Sequence, residues 1–224
     1  TLRDALYCTL LGADNVSALT IASFVGRDLV SRRGSGTPIA AFVSEMNNLA
    51  RSLRMTKTRF TAPHGLDAGN AVSTSCALDM ALLGMYSMQN PAFCYIVSQA
   101  SRRIGVQSQT KGTTMYDISN NNKMMSTSGV DGIKAGSSRA AGQCLLLSAT
   151  RNAIARRSPQ TGTEVIYPQR MIIAVLGTGE RYSLARQMLN TGWRVWENWQ
   201  ASGMDMKDPK EFVQLPVKSG TEKR

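Results

Sequence analysis

The stretch Val130-Asp131-Gly132-Ile133-Lys134-Ala135-Gly136, continued by Ser137-Ser138-Arg139-Ala140-Ala141-Gly142, decides how this chain is read. Val130 to Gly136 predicts a strand that ends in a short polar turn. Gly142 to Arg151 predicts a second, strongly apolar strand, and Arg170 to Gly177 a third. Asn152 to Gln169, between them, reads as a polar connection with a disordered centre. Gly179 to Trp199 returns to helical spacing, with Leu184, Met188, Trp193 and Trp196 as its apolar side. Residues 200–224 carry Pro209, Pro216 and many charges, and read as a tail or linker.

Upstream of that stretch the period is helical. Leu2, Ala5, Leu6, Leu10 and Leu11 form one stripe; Asp14-Asn15 interrupts it, and Val16 to Val30 resumes it. Thr37-Pro38 is a good helix start, Thr as N-cap and Pro in the first turn. That helix should run to about Arg54 and bury Phe42, Val43, Met46, Leu49 and Leu53. Phe60 to Thr74 reads as a loop, after which Ser73 or Thr74 caps a helix reaching about Met88. Pro91 opens a short helix ending near Ala100. Ile104 to Gln109 and Thr113 to Ile118 read as a hairpin about Lys111-Gly112. Helices, then antiparallel strands, then a last helix make an α+β chain, helices packed on a sheet, with residues 1–199 as one domain.

Several local strings, in this order, resemble those of the bacterial D-alanyl-D-alanine carboxypeptidases. The Val130–Gly136 stretch resembles V-D-G-[IL]-K-T-G, followed by A-A-G and an apolar strand; the wider penicillin-binding and β-lactamase group shares this chemistry. Leu10-Leu11-Gly12-Ala13-Asp14-Asn15 resembles the S-x-N segment between two helices. Glu45-Met46-Asn47, Leu53-Arg54-Met55, Thr58-Arg59-Phe60 and Pro63-His64-Gly65-Leu66-Asp67 resemble M-N, L-G-M, T-x-F and H-G-L-D. Asn120 to Met125 resembles N-x-N-x-L-L.

The resemblance implies a β-lactamase/transpeptidase-like fold, incomplete at its N-terminus. It implies a serine peptidase that removes the terminal D-alanine from peptidoglycan stem peptides through an acyl-serine intermediate. Stem peptides ending in D-Ala-D-Ala and β-lactams would be its partners, and the cell envelope outside the cytoplasm its location. Any membrane association would rest on parts outside this sequence. Lys134 would be a fixed cation for the substrate carboxylate, and Gly136 would let a substrate peptide approach the strand. Asn15 would orient the catalytic lysine and the substrate backbone. The catalytic assignments are thus Asn15 and Lys134, with Ala13, Ala135 and Gly136 lining the substrate.

There are departures. Ala13 stands where the family has Ser, and Ala135 where it has Thr. The S-x-x-K nucleophile should precede Asn15. The chain opens in a helix without Met or signal peptide, so it is expected to begin inside a longer protein. The one S-x-x-K string, Ser108-Gln109-Thr110-Lys111, lies in the hairpin and is rejected as a nucleophile. These departures leave an alternative: an impaired or inactive relative that binds peptidoglycan without turnover.

Composition bounds the rest. Hydrophobic residues at 42% and charged residues at 18% describe a globular chain. The net charge of +11 would suit a polyanion, but the basic residues are scattered and aromatics at 6% cannot make a stacking platform, so nucleic acid is not expected. Cys8, Cys76, Cys94 and Cys144 form no ligand pair, so no metal or cofactor is expected. The cysteines read as buried free thiols, with a disulfide left open. His64, the single histidine, is expected to pack or hydrogen-bond its turn.

Overall fold

The computed structural model describes residues 1–66, 72–108, 110, 112–157 and 162–203. Five helices come first: α1 (Leu2–Leu10), α2 (Asn15–Arg33), α3 (Pro38–Ser52), α4 (Ala77–Ser87) and α5 (Pro91–Val97). An antiparallel hairpin follows, β1 (Ser101–Ser108) with β2 (Gly112–Ser119), and then a 3-10 turn at Lys123–Ser126. Strands β3 (Val130–Ser138), β4 (Gly142–Arg157) and β5 (Glu164–Thr178) form an antiparallel sheet in that order, and α6 (Arg181–Ala201) closes the described chain. The α+β reading holds. Gln109, Lys111 and Asp67, and the reading of residues 204–224 as a tail, lie outside the described residues.

The sheet is covered on both faces, which is why β4 and β5 are continuously apolar rather than alternating. Leu145, Leu147 and Ala149 of β4, with Ile173 and Val175 of β5, pack against Ala185, Leu189 and Trp193 of α6. Leu146 and Ile172, one residue out of phase, face the other way, toward a cluster of Met88, Val97 and Ile133 from the α4–α5 region and β3. A third cluster, Ala50, Leu53 and Met55, fills the space between the end of α3 and α4.

Helices α2 and α3 approach closely at Gly26. A Cβ there would stand 2.0 Å from the Pro38 carbonyl oxygen and 2.5 Å from its carbon. Both are backbone atoms, so relief requires the helices to separate. Gly26→Ala is therefore expected to destabilise the chain by about 4 kcal/mol, beyond the usual range for one substitution. Chemical denaturation checks this; a loss under about 1 kcal/mol would show that the contact yields easily.

Helix α3 ends in a Schellman motif. The Met55 N–H donates to the Ala50 carbonyl (2.9 Å) and the Arg54 N–H to that of Arg51 (3.0 Å). Arg54 takes the left-handed position at φ 57°, whereas α2 ends on a glycine, Gly34, at φ 77°. An arginine in that conformation costs on the order of 1 kcal/mol.

Several expectations need correction. Where it is described, Asn152–Gln169 is paired strand rather than a loop connection: β4 and β5 run on as a ribbon, pairing Arg151 with Gln169, Ile154 with Tyr167 and Arg157 with Glu164. Its residues are polar because the ribbon leaves the core and both faces meet solvent; Ile166 is 69% exposed. Residues 158–161 lie outside the described residues. Helix α4 is capped by Cys76, without a side-chain hydrogen bond, rather than by Ser73 or Thr74. The Ser73 hydroxyl instead accepts from the Thr61 N–H (3.0 Å). On α6, Leu184 and Met188 are exposed, and the buried stripe is Ala185, Leu189 and Trp193. The small Ala185 lets the helix sit close to the sheet, and that sets the rotation. Phe42, Val43, Met46 and Leu49 of α3 are half-buried, and only Leu53 of the expected set is buried. The four cysteines are free, but half-buried rather than buried.

Candidate active site

The turn between α1 and α2 carries Ala13 and Asn15. Ala13 adopts φ 59°, and the Asp14 N–H donates back to the Cys8 carbonyl (3.0 Å). Asp14 caps α2 by accepting from the Ser17 N–H (2.7 Å). Its hydrogen bonds with Ser17 hold its carboxyl below the ordinary value. Asn15 is the first residue of α2 and is half-buried.

Lys134 lies on β3, the edge strand of its sheet among the described residues. Ala135 is 3% exposed and packs into the α6-side core. Lys134 pairs with Leu146 of β4 across the sheet. Its Nζ donates to the Ala135 carbonyl (2.6 Å). Gly136 is exposed, and a Cβ built on it would meet nothing within 4 Å.

A second cation stands beside Lys134. Arg181, the first residue of α6, donates from Nη1 to the Gly136 carbonyl (2.6 Å) and stacks 4.8 Å over the Tyr182 ring. Its Nε is buried without a partner among the described residues. Burial, and then the charge of Arg181, lower the Lys134 pKa to about 8. No carboxylate among the described residues pairs with either cation. Two partly desolvated cations at an open strand edge are suited to an anionic ligand group.

The lowered pKa has a measurable consequence. Unfolded, Lys134 titrates near 10.5; folded, near 8. Between these values the unfolded chain holds the proton and the folded chain does not, so stability should rise with pH across that window. Denaturation midpoints from pH 7.5 to 10.5 should show the rise, and Lys134→Met should remove it; an unchanged slope in the variant would assign the effect elsewhere.

The Asn15 turn and β3 are tied together by Asn120-Asn121-Asn122. The Asn121 amide Nδ2 donates to the Gly12 carbonyl (2.9 Å), and the Asn121 N–H to that of Leu11 (3.0 Å). Asn122 is 2% exposed; its Nδ2 donates to the Gly132 carbonyl (3.2 Å) and its Oδ1 accepts from the Met124 N–H (3.0 Å). Asn120 Nδ2 donates to the carbonyls of Val97 and Gln99, at the end of α5 and just beyond it (3.2 and 3.0 Å). Tyr182 Oη donates to the Asn121 carbonyl (3.0 Å), which ties in α6. This connection ties the α1–α2 turn to β3; no hydrogen bond among the described residues joins Asn15 to Lys134 directly.

Residues 1–158 match the D-alanyl-D-alanine carboxypeptidase family (peptidase family S11). The chain belongs to that family. It is 29% identical to the D-alanyl-D-alanine carboxypeptidase DacA of Escherichia coli K12 over 189 residues, 82% of this chain and 40% of that protein. It is 30% identical to DacC of the same strain over 164 residues, 70% of this chain and 34% of that one. The crystal structure of the Streptomyces K15 DD-transpeptidase superposes with a TM-score of 0.70 at 26% identity, covering 87% of this chain and 68% of that one. The chain therefore spans well under half the length of these Escherichia coli relatives.

The other family strings have structural work. Asn47 clamps the T-x-F string, accepting from the Phe60 N–H (2.9 Å) and donating to its carbonyl (2.8 Å). Buried Asp79 accepts from the Lys57 N–H (2.8 Å) and the Thr58 hydroxyl (2.7 Å). His64 Nδ1 accepts from the Leu66 N–H (3.2 Å), a local turn bond as expected. Asp131 pairs with Arg170 of β5 (2.8 Å). Ser108 ends strand β1, while Lys111 lies outside the described residues. No group of three or more metal-ligating side chains exists among the described residues. Arg181 escaped the sequence reading because no local string marks it; only the fold carries the start of α6 to the end of β3.

Proposed function

We propose that the protein to which this chain contributes is a serine-type D-alanyl-D-alanine carboxypeptidase. The observation that carries the reading is Lys134 beside Arg181 on β3, the edge strand of its sheet among the described residues, in a chain of this family. In this reading the terminal carboxylate of the stem peptide, or that of a β-lactam, is held by Lys134 and Arg181. The peptide backbone lies along the β3 edge at Gly136, and the Asn15 amide orients it from the opposite wall. A serine supplied from outside this chain attacks the penultimate carbonyl, D-alanine leaves, and water hydrolyses the acyl-serine. Lys134, with its pKa near 8, exists in both protonation states around neutral to mildly alkaline pH and gains charge when an anion binds beside it.

Ala13 and Ala135 bring no hydroxyl to this site, so the proposed turnover is slow. The Ala135 methyl lies in an apolar cluster, where a threonine would have to bring its own hydrogen-bond partner. The reaction places the protein in the cell envelope outside the cytoplasm. No helix among the described residues is long and apolar enough to cross a membrane. The test is labelling of the longer protein with a fluorescent penicillin, followed by peptide mapping. An adduct on a single serine is expected. Specific binding of D-Ala-D-Ala peptides without any adduct, even at long times, would replace the enzyme with a binding relative.

A further inference from the structure

A cavity of about 560 Å³ opens where α3 ends, lined by Arg51, Arg54 and Arg59 with Ser44, Thr56 and Thr58. None of its lining residues belongs to β3, α6 or the α1–α2 turn. No acidic residue lines it. The nearby acids are engaged: Asp79 is buried against Lys57 and Thr58, and Glu45 is held by Arg33 and Asn48. Arg54 and Arg59 have no side-chain hydrogen bond or ion pair among the described residues, and both are exposed. The hydroxyls of Ser44 and Thr56 are equally unengaged, whereas that of Thr58 is spent on Asp79.

The position of Arg54 makes this more than a basic patch. It fills the left-handed site of a helix-ending motif, where glycine is the unstrained residue and where α2 uses Gly34. The fold has no need of an arginine there. Its presence adds a third arginine to a cavity that two others already line. An anion with several acceptor oxygens can take bidentate contacts from the Arg54 and Arg59 forks, while Arg51 Nη2 already donates to Asn48 Oδ1. A phosphate group offers more acceptor oxygens to these guanidinium and hydroxyl donors than a single carboxylate does.

We infer that this cavity is a binding site for a phosphate group, carried either by a small phosphomonoester or by a phosphodiester. The test is calorimetry on the 224-residue chain at fixed ionic strength, with glycerol 3-phosphate as the monoester, dimethyl phosphate as the diester and succinate as a carboxylate control. Binding of either phosphate compound, at least tenfold tighter than succinate, is expected; the tighter of the two identifies the source. Arg54→Gly should weaken it by tenfold or more while leaving thermal unfolding unchanged or raised, because the strain is relieved. Arg27→Gln, removing an exposed arginine of α2, should leave it unchanged. Equal binding by Arg54→Gly, an equal loss in Arg27→Gln, or succinate binding as tightly as phosphate would overturn the assignment. None of these outcomes bears on penicillin labelling, which reads the β3 site alone.

Discussion

Lys134→Ala, in a protein that carries the complete site, is expected to slow penicillin acylation by about a hundredfold or more. That is the usual cost of removing one preorganised charge or donor from a transition state, on the order of 3 kcal/mol. The argument is specific to this position. Lys134 is desolvated, it keeps one protein hydrogen bond, and its charge is opposed by Arg181. The protein thus holds the cation at a cost that folding alone does not explain. Stability should move the opposite way: without the buried cation, Lys134→Met should equal or exceed the parent at neutral pH. A variant slow in acylation but no less stable marks a functional group. A variant that acylates at the parental rate removes Lys134 from the site, and with it the anion-clamp reading. Arg181→Gln should raise the Lys134 pKa, because the neighbouring charge is gone, and so shift the pH dependence of acylation upward.

Asn122→Leu should cost about 3 kcal/mol and lower the unfolding temperature by about 6–12 °C. Asn122 is buried at 2%, and the substitution leaves the Gly132 carbonyl and the Met124 N–H without their partners. Leucine supplies similar volume, so the loss would report unmet polar groups rather than a cavity. In the longer protein the same change should slow acylation beyond what instability explains, since Asn122 and its neighbour Asn121 set the α1–α2 turn against β3. Thermal unfolding and labelling of the residual folded protein separate the two effects. Wild-type labelling by a folded Asn122→Leu would show that the turn and the strand are positioned independently.

Much of this protein could be read before its structure. Period and punctuation located the helices to within a few residues, because Thr37-Pro38 and Pro91 are strong helix starts and are used as such. The hairpin and the three sheet strands were legible because their apolar runs are bounded by turns. The strings around Asn15 and Lys134 were legible because family chemistry needs those residue types close together in the chain.

What failed was whatever depended on which neighbour is present. Asn152–Gln169 looked like a loop because a solvated ribbon has loop-like composition, and only strand pairing, a long-range event, distinguishes the two. Leu184 and Met188 looked like the inner face of α6, but the face is chosen by the shape of the sheet beneath it, which favoured the smaller Ala185.

By itself, then, the sequence determined the class of fold, the order of its elements, the family and the positions of Asn15 and Lys134. These are local properties, written in spacing and side-chain type. Only the tertiary structure placed Arg181 beside Lys134, joined the two motifs through Asn120–Asn122, and gathered three arginines around the cavity at the end of α3. Each of those joins groups that are distant in the chain or that face one another only once a helix has ended in a particular way, and no local pattern encodes such a meeting.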